Sequence, residues 1–348
     1  MTPRPIPSGV DKSVKARHRA ACALLTLIFG LTAAACSSGH NWQAISTRPV
    51  SCPSHLRPDH GFQRAARPPR WILTAGGLSM LVQAGLPSSL MRADFNNAST
   101  ILLVSHGRPD SLAPRASLAF DFTSASALIS ALDHNRVPID VPYLLLDLER
   151  WPLTPVAEQQ NPIGALRNAI SVAHAHGKCV IFTPALDLVG AVDPGGRASS
   201  IYKRFDRLIL RPGAAATDVF EIQAQHTEGS KLSIGLAPSA IAAARAAHRG
   251  VPVFVGLSTN PNGQRVTAQD LLEVYDASAA AGASGYWLNI PRAGAECPMC
   301  GMPQPRVAVE FLEALATNGS GGSSLRALPP RRGLRHGRPN RILRAPAT

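Results

Sequence analysis

The stretch YLLLDLERWPLTP, Tyr143 to Pro155, places two carboxylates one residue apart at the end of an apolar run. On an extended chain Asp147 and Glu149 share a face, because side chains two residues apart point the same way. Two acids held near each other and near an indole, Trp151, disfavour ionisation through like-charge repulsion and loss of water. Such an acid keeps a proton near neutral pH and can deliver it to a leaving group. Glu149 is therefore the expected general acid. Asp147 is expected to hold its proton or support a neighbouring charge.

Other segments repeat the pattern. DVFEIQAQ carries Glu221, Gln223 and Gln225 at the same spacing, VGLSTNP carries Asn260, SGYWLNI presents Trp287 and Asn289, and VSHG holds His106. Glu221 is the expected nucleophile, base or hydroxyl-binding group. Trp287, Asn289, Gln223, Gln225, Asn260, His106 and Trp151 complete the expected substrate-binding set. Acids for a glycosidic oxygen, amides for hydroxyls and an indole for the apolar face of a sugar ring are what a carbohydrate site requires. A structural reading stands beside this one: Arg150 and Arg211 neutralising Asp147 and Glu221, the tryptophans in the core, the amides as backbone anchors.

CPMCGMP, Cys297 to Pro303, is the other chemically distinctive segment. Two thiols at this spacing suit a local disulfide, half a zinc knuckle or a redox pair. With no second such pair in the chain, a disulfide between Cys297 and Cys300 is expected, and no metal or other cofactor.

These residues need strands to aim them. YLLLD (143–147), CVIFTP (179–184), DVFEIQ (218–223), VPVFVGLS (251–258) and SGYWLNI (284–290) are consecutive apolar runs, the pattern of parallel strands covered on both faces. RWILTAG (70–76) and STILLVSHG (99–107) are further candidate strands, which makes seven, and an eighth is uncertain. Residues 161–177, 233–250 and 267–282 have the length and Ala/Leu content of helices, each finishing at a glycine suited to a left-handed cap. Thr267 with Asp270 reads as a helix start. Residues 117–134 are expected as one helix and 81–95 are ambiguous. The alternation of strand and helix, without a glycine-rich dinucleotide fingerprint, predicts a (β/α)8 TIM-like barrel over an open doubly wound sheet. In that fold the functional residues belong at the C-terminal strand ends.

The ends differ in composition. Basic residues followed by the apolar run ACALLTLIFGLTAAA predict a signal peptide over 1–35. A disordered Pro/Arg-rich linker over 36–70, the barrel over 71–317 and a disordered Gly/Ser/Arg-rich tail over 318–348 follow. The formal charge of +13 lies in the ends: residues 71–317 hold eighteen Lys/Arg and twenty acids. A nucleic-acid domain carries its charge on the folded part, so a nucleic-acid partner is not expected. The expected partners are an oligosaccharide or polysaccharide and, through a lipid anchor, the cell membrane.

Ala33-Ala34-Ala35-Cys36 followed by SSG resembles the lipobox of bacterial lipoproteins, which implies cleavage before Cys36, lipid attachment to it and an extracytoplasmic location; free secretion is the alternative. Asp147-Leu148-Glu149 at the end of a strand, with four strands after it, resembles the chitinase class of barrel glycoside hydrolases. That resemblance implies Glu149 as the acid, Asp147 as the residue assisting an N-acetyl group and Trp287 as the sugar platform. The segment before Asp147, Pro142 to Leu146, lacks the additional acids and the glycine of the fuller motif. LERWPLTPVAEQQNP, DVFEIQAQ, VGLSTNP and GYWLNIP resemble segments of secreted actinobacterial proteins, a likeness that implies no particular activity.

Overall fold

The computed structural model describes Cys52 and residues 69–104, 112–197, 201–225, 228–229, 231–295 and 297–320. The expected signal segment, Cys36, His106 and the tail beyond Ser320 lie outside the described residues.

Eight parallel strands close into a barrel in chain order: β1 (Trp71–Thr74), β2 (Ile101–Leu103), β3 (Ser117–Phe122), β4 (Tyr143–Leu148), β5 (Cys179–Pro184), β6 (Val219–Ile222), β7 (Val253–Ser258) and β8 (Gly285–Asn289). The last strand returns to the first through Trp71 with Tyr286 and Ile72 with Trp287. The expected (β/α)8 architecture is therefore the observed one.

Strand alternation separates two cores. Ile72, Ile101, Leu103, Ala119, Tyr143, Leu145, Cys179, Ile181, Val219, Phe254 and Trp287 form one apolar cluster inside the barrel. Their neighbours in sequence, among them Leu73, Leu144, Leu146, Phe182, Phe220 and Leu288, pack outward against the helices. Each such side chain contributes about 1.5–3 kcal/mol on burial, and a one-residue slip would turn a whole strand's set to the wrong side. Burial on both faces thus fixes which way the polar residues at the strand tops must point.

Helices cover the outer face: Ala75–Gln83 after β1, Ala125–Asp133 after β3, Pro162–Ala175 after β4, Lys231–Ala247 after β6, Ala268–Ala280 after β7 and Pro305–Ser320 after β8. Between β5 and β6 the chain passes through contiguous helical pieces, Ile201–Phe205, Asp206–Leu210 and Arg211–Ala216, the middle one a π-helix. The last helix spans the boundary expected at 317. Gly177 and Gly282 adopt the left-handed backbone expected of them, at φ 69° and 88°. Gly250 does not, because its helix ends at Ala247 and leaves through His248. Thr267 and Asp270 form a reciprocal capping box, as their spacing suggests.

One expectation is corrected. Residues 117–134 are a strand followed by a helix, and Ser117–Phe122 supplies the eighth strand. Ser124 ends the strand in an extended conformation and caps the helix, its hydroxyl accepting from the Ala127 amide at 3.2 Å. Leu118 and Phe122 fit a helical face as well as a strand face, so apolar spacing alone does not separate the two. The segment 81–95 holds the end of the first helix and short helical turns at Ser88–Leu90 and Met91–Phe95.

The N-terminal mouth of the barrel is clamped. Cys52 joins Cys179, at the first position of β5, with Cα atoms 5.8 Å apart and a sequence separation of 127. Cys52 packs against the interior cluster. Lys178 donates to the carbonyls of Pro138, Ile139 and Val141 at 2.8, 3.0 and 2.8 Å, tying the approach to β4 to the start of β5. Asp218 accepts from the Val180 amide at 2.8 Å and pairs with His174 at 2.9 Å. Cys52, Cys179 and Asp218 lie close enough to hold a metal ion, but the disulfide uses both sulfurs. Two disulfides, this one and Cys297–Cys300, fit an oxidising compartment.

Candidate functional site

At the opposite, C-terminal rim, β4 holds Asp147 in register with Thr183 of β5. The inward positions of β6 continue that ring with Glu221, which pairs in register with Phe254 of β7. Just beyond the end of β6, the Gln223 amide donates to Asp147 Oδ1 at 2.8 Å and to Thr183 Oγ1 at 3.0 Å. Three strands are thereby cross-linked at the mouth, and the Asp147 carboxylate is held in a fixed orientation. Gln225, two residues further, accepts from the Asn289 amide of β8 at 3.4 Å. Residues 221, 223 and 225 all face the mouth, although β6 itself ends at Ile222.

Glu221 is fully buried, and neither carboxyl oxygen has a partner in hydrogen-bond geometry among the described residues. Burial raises its pKa from the ordinary 4.5 to about 8, and the nearby charge of Glu149 adds to the rise. The Thr183 hydroxyl and the Gly256 amide lie near enough to favour the anion, but they offset only part of this. Glu221 therefore carries its proton at neutral pH. Its place depends on Gly256 of β7, where a Cβ would stand 2.6 Å from Glu221 Oε1 and 2.8 Å from Gln225 Nε2. The strand must be bare there for both side chains to lie across it.

The sign of the pH effect follows. The folded state holds the Glu221 proton up to about pH 8, whereas the unfolded chain releases it near 4.5. The native state then binds more protons, so stability falls as pH rises through that interval. Glu221→Gln is expected to flatten the fall. Urea melts of both proteins between pH 5 and 8 measure it, the upper limit being roughly 4–5 kcal/mol.

Glu149 follows β4 directly and is partly exposed, so it is the solvent-facing member of the pair. Its amide donates to Thr154 Oγ1 at 3.4 Å, and the Trp151 indole donates to the same oxygen at 2.7 Å. Thr154 donates in turn to the Thr123 carbonyl at 2.7 Å, and Gln159 binds the carbonyls of Trp151 and Thr154. Trp151 thus braces the loop that carries Glu149. Asp187, after β5, accepts from the Arg150 amide at 3.1 Å.

The arginine pairing of the structural reading is not found at Glu221: Arg211 pairs with Asp206 at 3.0 Å. Asn260 reaches the rim, but its side chain is committed to the loops. It donates to the carbonyls of Cys300, Met302 and Pro291 and accepts from Thr259, and is 3 % exposed. Its amide anchors the Cys297–Cys300 loop to the end of β7 and has no donor left for a sugar. Trp287 is 8 % exposed and belongs to the interior cluster, so it forms the floor of the mouth more than its wall; its indole nitrogen is buried without a partner among the described residues.

Asp121, inward-facing on β3, is an acid that sequence reasoning missed. Its side chain is open to solvent in the mouth, yet the surrounding protein raises its pKa by desolvation. The alternation in SLAFDF was the available signal, and reading that segment as a helix hid it.

Beside the mouth lies a cleft of about 670 Å³. Glu149, Asp187 and Gln223 line it where it meets the mouth; Phe205, Leu210, Ile222, Leu236, Ala240 and Ala243 give it much apolar wall, and Lys203, Asp206, Arg211 and Asn262 line it as well. Ile222 faces away from the barrel lumen, so the cleft passes over the rim into the layer between sheet and helices.

No family model matches the chain, and no curated protein matches it. Solved structures do. Bee venom hyaluronidase aligns over 72 % of this chain and 98 % of its own, at 11 % identity and a TM-score of 0.42. A GH18 chitinase from Pseudoalteromonas aurantia aligns over 71 % and 99 %, at 9 % identity and 0.39. The carboxyl transferase domain of Rhizobium etli pyruvate carboxylase aligns over 73 % of this chain but only 47 % of its own, at 9 % and 0.40. Similarity this low carries no argument about the site.

Proposed function

We propose that the chain is a glycan-directed protein of an extracytoplasmic compartment and that the C-terminal mouth of its barrel hydrolyses a glycosidic bond with Glu149 as general acid. The observation that carries this reading is the pairing at the rim: a solvent-facing Glu149 within electrostatic reach of a buried, proton-bearing Glu221, beside an Asp147 held in place by Gln223.

In this reading the protonated form of Glu149 gives its proton to the glycosidic oxygen as the C1–O bond breaks, and the leaving alcohol departs neutral. Positive charge develops at the anomeric carbon, and Asp147, fixed by the Gln223 amide, stabilises it without having to reorient. Water adds to the anomeric carbon and its proton returns to Glu149. Glu221, neutral at pH 7, spares the mouth a further negative charge and is a positioning group beneath the reacting atoms. Gln225 and Asn289 offer amides to sugar hydroxyls, and Asp121 stands across the mouth.

The test is turnover of a panel of cell-wall and plant oligosaccharides by the purified protein. Release of reducing ends by the wild type supports the reading. Binding without cleavage selects a non-catalytic glycan-binding protein.

The two disulfides suit export, and among the described residues no helix is long and apolar enough to cross a membrane. We place membrane attachment at Cys36. Radiolabelled palmitate is expected to enter the wild-type chain in a bacterial host and not Cys36→Ala; equal labelling of both, or of neither, removes the anchor.

A further inference from the structure

We infer that the substrate is an amphiphile, a glycan head joined to an alkyl or acyl chain, whose apolar part lies in the cleft beside the mouth. This names the substrate class for the site proposed above and rests on that reading.

Three features point to it. The cleft is continuous with the acidic mouth, because Glu149 and Gln223 belong to both. Beyond that polar end its walls are mostly apolar, with Ile222 and Leu210 buried, although Lys203, Asp206, Arg211 and Asn262 also line it. Its volume of about 670 Å³ is ample for a long hydrocarbon chain. A free sugar gains little from the apolar part of such a wall, where its hydroxyls would lose water without a partner.

The local backbone accounts for the gap. Asp206–Leu210 is a π-helical turn inside the β5–β6 helical segment, and such turns recur at functional sites. On the facing helix, Ala240 and Ala243 present short side chains to the cleft, with Ser239 at its outer edge. Larger side chains in place of those alanines would narrow the space.

The experiment measures binding of n-alkyl glucosides, methyl to decyl, below their micelle concentrations, to the full chain by calorimetry. Wild-type affinity is expected to rise about three- to fourfold per methylene until the cleft is full. Ala240→Phe, inside the cleft, and Ser239→Trp, at an exposed position on its edge, are expected to abolish that chain-length dependence. Both are expected to keep wild-type affinity for an unsubstituted oligosaccharide. Wild-type affinity independent of chain length overturns the inference, as does a dependence that neither variant alters. Because the readout is binding, the inference stands or falls apart from catalysis: chain-length dependence without turnover sinks the hydrolase reading alone, and turnover without chain-length dependence sinks only the amphiphile.

Discussion

Glu149→Gln is expected to lower kcat by roughly 10²- to 10⁴-fold, the range that a positioned general acid contributes. Glutamine keeps the shape of the side chain and its hydrogen bonding but has no proton to transfer at neutral pH. The loop carrying residue 149 is braced by Trp151, Thr154 and Gln159 through bonds that the substitution leaves alone. Substrate binding and melting temperature should therefore stay near wild type. That split separates a catalytic from a structural role, since a role in positioning alone would move KM or stability instead. Substrates whose leaving group departs without protonation, such as aryl glycosides with strongly acidic phenols, should suffer much less. Unchanged kcat on an alkyl leaving group would remove Glu149 as the acid, and Glu221, with its pKa of about 8, would become the candidate.

Removing the Cys52–Cys179 disulfide is expected to be the largest stability change open to a conservative substitution here. The bond closes a loop of 127 residues. The chain-entropy account assigns a loop that long about 5 kcal/mol, and native disulfides commonly contribute about 2–5. For a domain of this size the paired serine variant should melt roughly 5–15 °C lower. Cys52 also packs against the interior cluster, so the barrel loses part of its floor together with the constraint on the unfolded chain. Cys297–Cys300 provides the internal control. Its loop is only three residues, worth about 2 kcal/mol in the same account, and Asn260 holds its backbone independently. A double variant at 297 and 300 that melts as low as the 52/179 variant would contradict the entropic explanation. Melting in the presence of reductant checks that each serine pair reproduces loss of its bond.

The two predictions probe opposite ends of one barrel. Parallel strands place their N-terminal ends on one rim and their C-terminal ends on the other. The disulfide and the Lys178 clamp secure the first rim, which leaves the second free for chemistry. The carboxyls of Asp121, Asp147 and Glu221 extend inward from strands whose lower positions are filled by Ala119, Tyr143, Leu145, Ile181 and Val219. Apolar packing below prevents the acids from sinking further, and the closed sheet stops them from turning outward.

The sequence by itself determined the architecture and which strand ends carry the candidate residues. Consecutive apolar runs of five to eight residues suit strands of a parallel sheet buried on both faces, and the Ala-rich segments between them supply the covering helices. The spacing of two then forces Asp147 to share a face with Glu149, and Glu221 with Gln223. What only the tertiary structure decided was the state of each group. Whether an acid keeps its proton depends on the water and charge left around it, and those come from other strands: burial in the closed barrel, against the bare backbone of Gly256, raises the pKa of Glu221. Asn260 becomes an anchor because a loop forty residues later folds over it. The partner of Cys179 could not be chosen from spacing either, since Cys52 lies 127 residues away and meets it only when the barrel closes. Local pattern sets direction along a strand. Desolvation, pairing and cleft volume are properties of side chains distant in sequence, and they exist only after the chain has folded.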